Sequence, residues 1–201
     1  MSSFLVTLDR VPYLTKPENS EIGRITNRLK AATPTELDPV AFCECVRRGL
    51  TWVGATYEPS GEGWGRFLGQ QIFALDFDND AQYLSRYDPS GKTKRKRPLY
   101  DDEVGFLPEA EALVRCEELG LVPMCSYRTL HDGEHDGKLW NRYRIVFDMG
   151  EPVTDEAEAE EIIAALLRAF PEADKKCSNA NRLFFGSNGT LRGPWFGEVR
   201  S

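Results

Sequence analysis

Residues 70–79 read QQIFALDFDN, and this stretch decides the fold. The apolar run from Ile72 to Phe77 is short and rich in branched and aromatic residues, which is the pattern of a strand. Side chains alternate along a strand with a period of two. Phe73, Leu75 and Phe77 therefore share one face, and Asp76 and Asp78 the other. Such a strand needs a sheet with one face packed and one face charged.

The sequence downstream supplies that sheet. Pro108 opens a helix over 108–119, with Leu113 and Cys116 inside it and Gly120 closing it. LVPMCSYRT (121–129) is a second strand, and a polar hairpin from His131 to Leu139 leads to a third, RYRIVFD (142–148). In that third strand Tyr143, Ile145 and Phe147 share a face, with Arg142 and Arg144 opposite. Asp155 and Glu158 have capping-box spacing ahead of a helix over 155–170, in which Ile162, Leu166 and Phe170 form one ridge. RLFFGS (182–187) is the fourth strand. The order β-α-β-β-α-β is the ferredoxin-like arrangement, an α+β fold with a four-stranded antiparallel sheet and two helices on one face.

Upstream, residues 18–50 read as helical. Ile22, Ile25 and Leu29 share a face, and Asp38-Pro39 starts a second apolar stripe of Val40, Cys43, Val46 and Leu50. EPSGEGWGRFLG (58–69) reads as a loop. The chain thus divides into an N-terminal helical or αβ unit over 1–70 and a ferredoxin-like module over 71–201, together one domain. Residues 79–106 are polar, carry the basic run Lys92 to Arg97, and read as an insertion.

Composition narrows the function. The net charge is −7, from 32 acidic and 25 basic side chains, which excludes a protein that coats DNA by bulk charge but leaves local basic sites open. Five cysteines at irregular spacing do not form a disulfide framework, and two histidines cannot complete a zinc finger, so a reducing cytoplasm is expected. No stretch approaches the roughly 20 apolar residues that cross a bilayer, so no membrane partner is expected.

In the expected topology the first strand lies between the third and fourth, both antiparallel to it. Its C-terminal end, with Asp76 and Asp78, then meets Arg142 and Arg144 and the segment holding Asp174, Lys175, Asn179, Asn181 and Arg182. Carboxylates gathered in this way repel one another, and a hard divalent cation such as Mg²⁺ or Mn²⁺ relieves the repulsion. Neighbouring arginine and lysine side chains would hold a triphosphate. Lys92, Lys94, Arg95, Lys96 and Arg97 are the candidate nucleic-acid contacts. Simpler readings exist for several of these residues. Asp78-Asn79-Asp80 suits a capped turn, Arg142 and Arg144 suit solvated strand positions, and His131 and His135 suit an exposed hairpin.

These residues resemble the archaeo-eukaryotic primase superfamily, most closely the primase-polymerase domains of bacterial plasmids, phages and integrated elements. QQIFALDFDN is similar to the family's first motif, and PEADKKCSNANRLFFGS to its third, with Ala173-Asp174 and Arg182 at the family spacing. SYRTLH followed by RYRIVF resembles the middle motif, where either His131 or Arg144 stands in the place of the family histidine. The resemblance spans about Glu21 to Ser187. It implies an RRM-like catalytic module with Asp76, Asp78 and Asp174 as catalytic metal ligands. It also implies template-directed nucleotidyl transfer from nucleoside triphosphates on a single-stranded DNA template and primer. His131, Arg142, Arg144, Lys175 and Arg182 would then bind the nucleotide, and a helicase module or partner is a common companion. Two competitors remain from the residues themselves: a non-catalytic nucleic-acid-binding or replication-initiator module on the same fold, and a hydrolase with Asp76 as nucleophile.

Overall fold

The computed structural model describes residues 3–79, 83–87, 94–98, 107–130, 132–135, 138–187 and 189–195. For 83–87, 94–98, 133–135 and 138–140 it describes the backbone alone. The elements run β1 (Phe4–Pro12), α1 (Asn19–Ala31), β2 (Thr35–Leu37), α2 (Pro39–Arg47), β3 (Leu50–Val53), β4 (Ala55–Tyr57) and β5 (Phe67–Asn79). After these come β6 (Tyr83–Tyr87), β7 (Lys94–Pro98), α3 (Glu109–Glu118), β8 (Pro123–Arg128), β9 (Gly133–His135) and β10 (Lys138–Val153). The last are α4 (Glu156–Ala169), β11 (Leu183–Phe184) and β12 (Leu191–Arg192). The chain is mixed α+β with antiparallel sheets. Among the described residues no helix is long and apolar enough to cross a membrane.

Local chemistry sets the helix ends where the sequence places them. Asp38 accepts a hydrogen bond from the Ala41 amide at 2.8 Å, with Pro39 in the first turn of α2. Asp155 accepts from the Ala157 and Glu158 amides at 2.8 and 3.2 Å and so caps α4. At the end of α3, Gly120 takes φ +68° and the Leu121 amide reaches back to the Cys116 carbonyl at 2.8 Å. This is a Schellman closure, and it favours glycine at that position.

One sheet has the order β12-β8-β10-β5-β4, with β9 on β10, and a second has the order β11-β3-β1-β2. In the larger sheet β10 lies between β8 and β5 and is antiparallel to both. The segment β5-α3-β8 is therefore a split unit with β10 inserted between its parallel strands. Phe73, Leu75, Phe77, Tyr143, Ile145 and Phe147 pack on the helix side, with Ala112 and Cys116 of α3 and Ala159, Ile163 and Leu166 of α4. The Phe77 and Tyr143 rings stack there at 4.6 Å.

Four expectations change. The run 18–50 is two helices separated by β2, with Leu50 opening β3 rather than closing the second helix, and of the two readings of the N-terminal unit the elements β1, β3 and β4 give the αβ one. Phe4, Val6, Thr7 and Leu8 are all buried, so β1 shows no alternation of polar and apolar residues to read. The fourth strand shrinks to Leu183–Phe184 and pairs with β3 in the other sheet, not with β5. Close packing draws it there: a Cβ on Gly186 would lie 2.7 Å from the Val46 carbonyl oxygen, and the Ser187 amide donates to that oxygen at 2.9 Å. The place beside β5 goes to β4. The sheets also do not divide at residue 70, since β4 joins the larger sheet and β11 the smaller.

The fourth change concerns the charged face of the larger sheet, which is not open. Ile72, Ala74 and Val146 lie on the side of Asp76 and are buried in one core with Phe4, Val6, Phe42 and Trp52 of the N-terminal unit. The smaller sheet covers the middle of this face, and the end with Asp78 reaches solvent.

An ion pair ties α3 to the turn after α4. Arg115 donates to both Glu172 carboxylate oxygens, at 2.7 and 3.0 Å. Burial raises the Glu172 pKa, but the Arg115 contact outweighs it and holds the carboxyl below its ordinary range. The folded pKa is thus depressed, so the stabilisation is present above the unfolded value of about 4.3 and fades as pH falls through the folded value. Glu172→Gln is expected to cost up to about 1 kcal/mol at pH 7 and less near pH 3. Urea unfolding at the two pH values measures this, and an equal loss at both would contradict the pairing.

Candidate functional site

The register places the candidate charges face to face. Arg144 pairs with Asp76 across β10 and β5, and Arg142 with Asp78. The period-two reading of the two strands requires this juxtaposition once they are antiparallel. The third carboxylate arrives through the backbone: the Asp174 amide donates to the Asp76 carbonyl at 2.7 Å. The loop after α4 therefore docks on β5 beyond the end of β4, and Asp76, Asp78 and Asp174 come to one sheet edge.

At that edge every aspartate meets an arginine. The Arg144 Nε and Nη2 atoms lie 2.7 and 2.6 Å from Asp76 Oδ1. Arg142 Nε lies 3.8 Å from Asp78 Oδ1, and Arg182 Nη2 lies 3.5 Å from Asp174 Oδ2. The three pairs differ in depth. Asp76 and Arg144 are 8% and 4% exposed, so this pair is part of the interior. The Asp78 side chain is 48% exposed and faces solvent. Asp174 lies between these extremes; its Oδ1 accepts from the Lys176 amide at 3.0 Å, which shapes the turn that follows.

Arg144 is also the hub of a buried network. Its Nη1 donates to the Tyr127 hydroxyl at 2.6 Å and to the Phe185 carbonyl at 2.7 Å. Its guanidinium stacks on the Phe184 ring at 4.6 Å. The Trp52 indole donates to the same Tyr127 hydroxyl at 3.0 Å. Burial opposes the charge on Arg144, but Asp76 and Tyr127 more than offset it, and the pKa rises above the ordinary arginine value. Burial pushes the Tyr127 hydroxyl up to about 12. The Cys177 thiol, next to Asp76, is also pushed up to about 12, by burial and then by that carboxylate. Neither group ionises at neutral pH.

Of the sequence candidates, Asp76, Asp78, Asp174, Arg142, Arg144 and Arg182 are brought together, and Lys175 is exposed on the same loop as Asp174. Arg144 is engaged on every side, which suits a positioning role more than contact with a ligand. The Nε of Arg182 is buried and has no hydrogen-bond partner among the described residues. His131 and Lys92 lie outside the described residues, and for Lys94, Arg95, Lys96 and Arg97 only the backbone is described. Sequence reasoning missed the hydrogen bond that joins Trp52 to Tyr127. Both lie in apolar strands, and no pattern in a strand announces which buried aromatic carries a polar contact.

Carboxylate oxygens suit a hard divalent cation in kind. Among the described residues, however, no three His, Cys, Asp or Glu side chains are grouped closely enough to hold one. The donor type fits a metal while the side-chain positions favour the arginines. With Arg142, Arg144, Arg182, Lys175 and Lys176 around three aspartates, the edge has a positive local balance within an acidic chain. None of the family models, curated proteins or solved structures compared with the chain matches it.

Proposed function

We propose that this chain is a template-directed nucleotidyltransferase, a primase-polymerase domain of a mobile genetic element, related to the archaeo-eukaryotic primases and built on an RRM-like module. The observation that carries the reading is the set of three Asp–Arg pairs at one sheet edge. A nucleoside triphosphate with its divalent cation is itself a paired cation and anion. Its arrival exchanges partners at the two outer pairs without uncovering net charge: Asp78 and Asp174 turn to the cation and Arg142 and Arg182 to the phosphates, while the buried Asp76–Arg144 pair stays in place. The split β5-α3-β8 unit with β10 inserted agrees with the RRM-like module, with β4 in the outer position.

When bound, Mg²⁺ or Mn²⁺ would supply a hydroxyl of lowered pKa and charge neutralisation on the triphosphate. This chain's own residues do the rest. Arg144 fixes the Asp76 carboxylate against rotation. Asp78 presents its carboxylate from the exposed end of β5. Arg142 and Arg182 bind phosphate oxygens in place of the aspartates, and Lys175 adds charge at the rim. The template selects the base, so the protein needs no base-specific contact.

The second reading, a non-catalytic nucleic-acid-binding module on the same fold, is favoured by one observation: the carboxylates are already neutralised by arginines and form no closed metal group. Extension of a labelled primer on a template, with Mn²⁺ and mixed nucleotides, separates the two. The expected result is a template-dependent product from the wild type and none from Asp78→Asn combined with Asp174→Asn. Both side chains are partly exposed, so the variant should fold. Failure of the folded wild type to extend any primer, or equal product from the variant, would overturn the catalytic reading.

A further inference from the structure

Asn79 is the last residue of β5 and follows Asp78 directly. Its side-chain amide donates to the Leu107 carbonyl at 2.8 Å and accepts from the Leu107 amide at 3.1 Å. The Tyr143 hydroxyl donates to the same carbonyl at 2.7 Å. Asn79 and Leu107, which flank the insertion in the chain, are therefore stapled together next to Asp78. Inside this insertion β6 and β7 pair with each other, and among the described residues with no other strand, as a two-stranded antiparallel ribbon.

The ribbon's composition is one-sided. Its strands hold Arg86, Lys94, Arg95, Lys96 and Arg97 and no acidic residue, in a chain whose net charge is −7. The register sets Arg86 directly opposite Arg95. Like charges opposed across a strand pair cost stability, and a polyanion lying along the ribbon removes that cost. A two-stranded ribbon fits the major groove of a nucleic-acid duplex, about 12 Å wide, and a five-residue strand spans roughly 17 Å along it.

We infer that the β6–β7 ribbon is an arm that grips the sugar-phosphate backbone of a nucleic-acid duplex through sequence-independent contacts. The identity of that duplex as template paired with primer rests on the function proposed above. β6 begins at Tyr83, so the chain holds the arm's first residue within about 14 Å of Asn79.

Fluorescence anisotropy of a labelled primer–template duplex, titrated at several salt concentrations, tests the arm. The variant is Lys94→Gln with Arg95→Gln, Lys96→Gln and Arg97→Gln. Each lost phosphate contact lowers the slope of log affinity against log salt by about 0.9. The expected result is a slope lower by about two or more, the same for unrelated duplex sequences, with an unchanged melting temperature. A single Arg95→Gln change should lower the slope by about one at most. Duplex binding by the fourfold variant with wild-type affinity and slope would overturn the arm. So would wild-type binding to polyglutamate as tightly as to duplex, which would mean an acidic protein partner. If the slope falls as expected but the wild type extends no primer, the arm stands and the catalytic reading fails. If the slope is unchanged and the wild type extends primers, the reverse holds.

Discussion

Arg144→Met should lower stability by about 3–5 kcal/mol, because it leaves a carboxylate buried without its partner. The Asp76 side chain is only 11% exposed and takes both Nε and Nη2 of Arg144 on one oxygen. Water cannot replace two such contacts at that depth. Methionine also gives up the Tyr127 and Phe185 contacts made by Nη1. For a chain of this length the loss corresponds to a fall in melting temperature of about 6–20 °C. The decisive comparison is Asp76→Leu combined with Arg144→Met. Removing both charges leaves no unpaired ion, so the double variant should melt closer to wild type than Arg144→Met alone. If Arg144→Met melts within 2 °C of wild type, the pair does not hold the interior together. Arg144→Lys is not a mild change here, since one ammonium cannot serve Asp76, Tyr127 and Phe185 from the positions of a planar fork.

Gly54→Ala is the second large effect. Gly54 is the residue between β3 and β4, where the chain leaves the smaller sheet and joins the larger. A Cβ there would lie 2.1 Å from the Ile72 carbonyl oxygen and 3.2 Å from its carbon. The obstacle is the backbone of the central part of β5, which cannot swing aside as a flexible side chain can. Either β5 shifts, taking Asp76 with it, or the crossing opens. Overpacking of this kind costs about 3 kcal/mol, or about 6–12 °C for a chain of this size. Gly23→Ala is the control. Gly23 lies in α1 with nothing within 4 Å of its added Cβ, so alanine should stabilise the helix by about 0.5–1 kcal/mol. A Gly54→Ala protein that melts with wild type would mean that the sheets cross less tightly than described.

The two effects share one origin. The candidate site lies where two sheets meet, and its deepest pair is held from both. Trp52 comes from the smaller sheet and Tyr127 from the larger, and their contact at the Arg144 network joins the two. The placement of Asp76 therefore depends on Trp52, outside every motif quoted above, as well as on Tyr127 and Arg144.

The central strand, both capped helices of the helix layer and the opposition of Asp76 to Arg144 were legible in the residues. Each depends on local rules: a period of two along β5 and β10, Asp155 at a helix start, Gly120 at a helix end. The arrival of Asp174 at the same edge was also expected, although the route was different. It reaches Asp76 by a loop amide rather than through a fourth strand.

By itself, the sequence determined which residues face together, because side-chain direction follows from the backbone period and needs no knowledge of partners. It also determined the charge contrast between an acidic chain and the basic run Lys92 to Arg97. Only the tertiary structure decided what covers each face. The side with Asp76 carries Ile72 and Ala74 as well, and whether solvent or a second sheet lies over them depends on contacts between residues far apart in the chain, such as Phe184 with Trp52. The same long-range packing moved Leu183–Phe184 to β3 and turned Arg144 into a buried support. Burial is settled by the sum of such contacts, and no window of sequence contains that sum.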